Sequence, residues 1–131
     1  MGSFTMYVYA SLATIAALVL YTVLSFKVGT ARNKYAVPAP ATDGPPEFLR
    51  YLRVQMNTLE QIVVALPAIW LCAIWVGDQW AGIGGAVWIV GRALYARGYY
   101  ADPKKRGAGF TIALAASTAM LLAALVAIVR A

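Results

Sequence analysis

Apolar positions along the chain gather into four long stretches, with polar or proline-rich segments between them. Met6 to Phe26 (MYVYASLATIAALVLYTVLSF) carries no charge. A helix that crosses the hydrocarbon core of a bilayer needs about 20 mostly apolar residues, so this run predicts a first span over 6–26. It resembles a signal-peptide core, but it is too long, and the preceding MGSFT has no Lys or Arg; an uncleaved helix is expected. The second span is expected to begin near Leu52 and to cover 54–76, with Pro67 inside it as a kink site. Third and fourth spans are expected over 81–99 and 110–129.

The connections differ in character. Lys27 to Arg53 is basic and holds Pro38, Pro40, Pro45 and Pro46. Since Pro45-Pro46 cannot continue a helix, this segment reads as a semi-rigid loop. GDQW (77–80) is a tight link, and YADPKKRGAG (100–109) separates the last two spans. The short connections predict antiparallel neighbours. The expected architecture is one all-α domain over residues 1–131, an integral membrane four-helix bundle running up-down-up-down. Gly84, Gly91 and Gly98 recur every seven residues in the third span, and the fourth holds Ala116, Ala119, Ala123 and Ala127. Both series predict close helix–helix contacts.

Composition supports the membrane reading. Of 131 residues, 62% are hydrophobic, against about 45–50% in soluble domains. The net charge of +6 could suggest nucleic acid, but the basic residues stand at helix ends and none is expected. Lys27, Arg32, Lys34, Arg50 and Arg53 flank the first loop; Arg92, Arg97, Lys104, Lys105 and Arg106 flank the third; the second has only Asp78. By the positive-inside rule, loops one and three face the cytoplasm and both termini face out. The chain has no histidine and one cysteine, Cys72. That excludes a histidine-ligated haem, the usual zinc sites and a Ser-His-Asp triad. Cys72 is expected to be a small buried apolar residue.

The chemistry concentrates at the mouth of the second span, in RVQMNTLEQ (53–61). At 100° per residue, Arg53, Asn57 and Glu60 fall within about 60° of one another. Gln61 lies at the edge of that stripe, and Gln55 points nearly the opposite way. In the third span, Arg92, Tyr95 and Tyr99 share a face in the same manner, Arg97 points away, and Arg106 stands where the fourth span begins. Loops one and three share a side, so both columns lie at one depth and could line one polar cleft. Ionisable groups at membrane depth pair, face water or bind a ligand. A structural reading pairs Arg92 with Glu60, uses Asn57 as interhelical glue and assigns the tyrosines to the aromatic belt. The surplus of cations and amides over one glutamate favours a ligand site, suited to a zwitterionic peptide with two carboxylates and an amine.

DGPPEF followed by RVQMNTLE, together with GRALYARGYYADPKKRGAGF, resembles the membrane-associated proteins in eicosanoid and glutathione metabolism, the MAPEG family. The resemblance covers almost the whole chain. It implies a homotrimer of four-helix protomers that binds glutathione between neighbours. It further implies that Arg53, Asn57, Glu60, Tyr95 and Tyr99 contact glutathione, that Gln55 and Arg32 reach the site from the adjacent protomer, and that Arg106 lies beside the thiol sulfur as the catalytic residue. Asn33 and Gln61 replace an arginine and a tyrosine of the leukotriene-forming members, which argues against a leukotriene substrate.

The expected function is that of a glutathione S-transferase in detoxification, joining glutathione, as co-substrate, to a lipophilic electrophile from the bilayer. Reduction of lipid hydroperoxides is a second expected use of the same thiol. The alternative is a non-catalytic lipid- or glutathione-binding scaffold. A small multidrug exporter is disfavoured because the first span contains no acid. No metal or haem is expected. The expected location is a bacterial inner membrane, with the endoplasmic reticulum as the alternative.

Overall fold

The computed structural model describes residues 6–131; the uncharged MGSFT lies outside them. Four α-helices follow one another: α1 (Val8–Tyr35), α2 (Pro46–Trp75), α3 (Asp78–Ala101) and α4 (Gly107–Arg130), with a short 3-10 turn, Pro103–Arg106, before α4. The described residues contain no strand. Neighbours run antiparallel. Trp70 Nε1 on α2 donates to Thr14 Oγ1 on α1, while Gln55 on α2 donates to Tyr21. Gly84 of α3 faces Met120 of α4, and Gly91 faces Ala113.

Two helix ends are satisfied by side chains from other helices. The Asp78 carboxylate, at the start of α3, accepts from the amides of Tyr9 (2.9 Å) and Ala10 (2.8 Å) at the start of α1. These are donors that an isolated helix leaves unpaired, and a carboxylate there also meets the positive end of the helix dipole. At the opposite end of the bundle, Arg50 Nη1 on α2 donates to the carbonyls of Tyr100 and Ala101, both at 3.2 Å, closing the last turn of α3.

The first loop is much shorter than expected. α1 continues nine residues past Phe26, and α2 begins at Pro46. Pro45-Pro46 opens a helix: Pro46 sits at a position where its missing N–H costs nothing, and Pro45 is extended, as a residue before proline must be. The polar continuation of α1 holds because Val28 and Ala31 pack with Val37, Phe48 and Leu52. At 28 and 30 residues, α1 and α2 are about 42 and 45 Å long, beyond the ~30 Å of a hydrocarbon core. Pro67 lies within α2 without ending it. The link from α2 to α3 turns at Gly77, whose φ of 155° suits glycine.

Helices α1, α2 and the segment Pro103–Arg130 are long and apolar enough to cross a membrane. α3, at 24 residues, is shorter but still long enough to cross; its glycines and two arginines dilute its hydropathy, and it packs against all three other helices. Large apolar side chains such as Leu12, Ile15, Val19, Val63, Ile74, Leu122 and Leu125 are exposed around the bundle, an arrangement suited to lipid rather than water. The glycines behave as expected: a Cβ on Gly84, Gly91 or Gly98 would meet Met120, the Ala113 amide or the Lys105 carbonyl. Of the α4 alanines in the predicted series, only Ala116 is buried as expected. The buried positions of α4 are Gly109, Ala113, Ala116, Ser117, Met120 and Ala124, whereas Ala119 is exposed. The correct stripe follows the glycines opposite it, not the densest run of alanines.

Candidate functional site

At the end of the bundle where loops one and three meet, a cavity of about 450 Å³ is lined by Arg53, Asn57 and Glu60 of α2 and by Tyr95 and Tyr99 of α3. Arg106, Gly107, Phe110 and Thr111 complete the wall. Small-molecule sites occupy about 300–1,000 Å³. Six of the eight site residues expected from sequence therefore share one space. Gly107, Phe110 and Thr111 were not singled out in the sequence, where they read as the start of an apolar helix.

The α2 wall presents its groups in a graded order. Arg53 and Glu60 are two helical turns apart, about 10 Å along the axis, with Asn57 between them. Both charged residues are exposed, and that separation keeps the cation and anion from neutralising each other. The α3 wall is firmer. Tyr95 is 3% exposed and packs against Tyr99 and Phe110 at ring-centroid distances of 5.6 and 6.2 Å. The Arg106 guanidinium, in the 3-10 turn, lies 5.8 Å from the Tyr99 ring centre. Asp102 opens that turn by accepting from the Lys104 amide at 3.0 Å. The cavity thus offers two cations, one anion, one amide and two phenols, with an aromatic floor.

Behind this wall lies Arg92, which is 0% exposed. Its Nη2 donates to Asn57 Oδ1 (2.9 Å) and Thr58 Oγ1 (2.8 Å), and its guanidinium sits 4.0 Å from the Tyr95 ring centre. These contacts, not Glu60, are what Arg92 holds. Thr58 is fully buried and donates its own hydroxyl to the Val54 carbonyl. Thr58 carries no signal of this role in the sequence, because its helical angle places it off the polar stripe. Arg97 is exposed, as expected of a charge reaching for the interface.

Gln55 and Arg32 stand outside the cavity. Gln55 Nε2 donates to the Tyr21 hydroxyl at 2.9 Å, on the α1 side of α2. Arg32 Nη1 donates to the carbonyls of Ala41 (2.7 Å) and Val37 (3.3 Å), bracing the first loop. Cys72 is buried far from this end, in the cluster with Ala10, Ala13 and Ile69. The described residues hold no group of three or more histidine, cysteine or acidic side chains that could bind a metal.

Comparison with known proteins agrees with the geometry. The model of the MAPEG family matches residues 10–126. An uncharacterized protein of Synechocystis is 48% identical over 118 residues, covering 90% of this chain and 86% of that protein. Microsomal glutathione S-transferase 2 of Homo sapiens is 39% identical over 90 residues, 69% of this chain and 61% of that one. Leukotriene C4 synthase of Bos taurus is 32% identical over 93 residues, 71% of this chain and 62% of that one. The match thus spans about three-fifths of these two mammalian relatives. An all-helical bundle with lipid-suited outer faces, matched to one family model over nearly its whole length, makes this chain an integral membrane protein that belongs to the MAPEG family.

Proposed function

We propose that the chain is a membrane-bound glutathione S-transferase. The observation that carries this reading is the convergence of Arg53, Asn57, Glu60, Tyr95, Tyr99 and Arg106 on one cavity at the charged end of an apolar bundle. The names of the mammalian relatives support it. Arg53 pairs with a glutathione carboxylate, Glu60 holds the amine, and Asn57 and the tyrosines fix the backbone between them. The chain works as a homotrimer, in which Gln55 and Arg32 approach a neighbour's site. It sits in a bacterial inner membrane with loops one and three in the cytoplasm, so glutathione enters from water and the electrophile from lipid.

Arg106 acts on the sulfur. A free thiol has a pKa of about 8.5, leaving only about 3% thiolate at pH 7. A guanidinium beside the sulfur favours the anion. A downward shift of two units corresponds to roughly 2.7 kcal/mol and raises the reactive fraction about 25-fold. The thiolate then attacks the electrophilic carbon, the leaving group departs with its electron pair, and a thioether forms. Lipid hydroperoxides are a second substrate class: the thiolate attacks the terminal peroxide oxygen and becomes a sulfenic acid, the lipid leaves as an alkoxide that is protonated to the alcohol, and a second glutathione thiol displaces the sulfenic hydroxyl as water to form the disulfide.

The test uses purified protein and a generic aryl halide. Arg106→Leu is expected to cut conjugation about 25-fold while glutathione affinity, read by calorimetry, falls far less. Equal turnover in the variant would remove Arg106 from the mechanism. If the wild-type protein takes up no glutathione at all, the non-catalytic scaffold is the correct reading instead.

A further inference from the structure

Arg92 does not line the cavity, yet it controls what one of its walls can offer. Its side chain is wholly buried. Nη2 binds Asn57 Oδ1 and Thr58 Oγ1, and the guanidinium plane leans on Tyr95, while Nε and Nη1 have no hydrogen-bond partner in the protein. A cation is costly in such a place. The two oxygens and the face of an aromatic ring offset part of that cost, and all three lie beside the site.

The chemistry of the contact is one-sided. A guanidinium has five N–H donors and no acceptor. The atom of Asn57 that meets Nη2 must therefore be its carbonyl oxygen, whichever way the amide would otherwise turn. Thr58 is held in the same sense: its proton goes to the Val54 carbonyl, so its lone pairs receive Arg92. With Oδ1 engaged, Asn57 is left with its NH2 group for the cavity that it lines.

We infer that Arg92 is a positioning residue that fixes the polarity of Asn57, so that the site presents a donor at that point and selects a ligand with an oxygen acceptor there. This rests on the glutathione-site reading. It adds that the ligand must place a carbonyl or carboxylate oxygen between the groups held by Arg53 and Glu60. By leaning on Tyr95, Arg92 ties α2 and α3 into one wall, so that donor and phenol keep their spacing.

Glutathione titration by calorimetry, with thermal unfolding in the same detergent, tests this through two pairs of proteins. Asn57→Asp keeps an oxygen for Arg92 but turns an anionic oxygen toward the ligand. Its unfolding temperature is expected to hold or rise, while glutathione binding weakens at least about tenfold. Arg92→Lys still offers only donors, so binding should stay within about threefold of wild type even where stability drops; Arg92→Gln, whose amide can accept as well as donate, lets Asn57 turn and should bind at least about tenfold more weakly than the lysine variant. Wild-type affinity in Asn57→Asp, or equal affinity in the lysine and glutamine variants, overturns the inference. Absence of binding by the wild-type protein instead overturns the glutathione reading beneath it.

Discussion

The contact between α3 and α4 lets one methyl group test the packing. A Cβ on Gly109 would fall 2.6 Å from the Gly91 carbonyl oxygen and from Tyr95 Cα, and closer still to the Tyr95 amide. All of these atoms are helix backbone, which no rotamer change can move aside. An ordinary contact begins near 3.4 Å, so Gly109→Ala forces the helices apart by at least about 0.8 Å. Overpacking of this kind costs about 1–3 kcal/mol, and here Tyr95 must shift with its helix, so the cavity wall moves as well. Gly29 in α1 is the control, since a Cβ there would meet nothing within 4 Å. Relieved of glycine's backbone freedom, Gly29→Ala should gain up to about 1 kcal/mol. Thermal unfolding in one detergent is expected to show Gly109→Ala below wild type and Gly29→Ala at or above it, with weaker ligand uptake only in the former. If the two variants unfold at the same temperature, the close α3–α4 approach is wrong.

Asp78→Ala removes both acceptors from the start of α1; a loss of about 1–2 kcal/mol is expected, with faster hydrogen exchange at Tyr9 and Ala10, whereas Asp78→Asn should keep part of the protection. Arg50→Met frees the Tyr100 and Ala101 carbonyls; the expected result is faster exchange and protease cleavage around residues 102–106, with little change at the other end of the bundle. The Arg106→Leu defect should shrink with alkalinity: an unassisted thiol goes from about 3% to about 76% thiolate between pH 7 and pH 9, so the variant gains about 25-fold while the wild type gains little. A deficit that stays constant across that range would place Arg106 in binding or structure rather than in ionising the sulfur.

Most of this molecule could be read from its sequence, for identifiable reasons. Apolar runs give helices because lipid leaves the backbone few alternatives, and a stripe such as Arg53, Asn57 and Glu60 survives any error in helix boundaries, since its spacing is internal. The misreadings arose where tertiary contacts decide. The polar end of α1 reads as loop because nothing local reports that Val28 and Ala31 will find Phe48. Pro45-Pro46 signals a break equally well at the end of a helix or at its start. The buried face of α4 is set by glycines on α3, and Arg92 takes Asn57 and Thr58 because its guanidinium is buried inside the bundle while Glu60 is exposed, a matter of rotamer and burial that angle counting does not contain.

The clip between Asp78 and the first turn of α1 also bears on how the chain is made. The acceptors for Tyr9 and Ala10 are supplied by a residue 69 and 68 positions downstream. During synthesis α1 therefore enters the bilayer with those amides unserved, and they stay so until α2 has crossed and brought Asp78 back to that side. Any ribosomal stall or truncation before Asp78 yields a product frayed at the start of α1, and a quality-control protease would meet it at that loose end first.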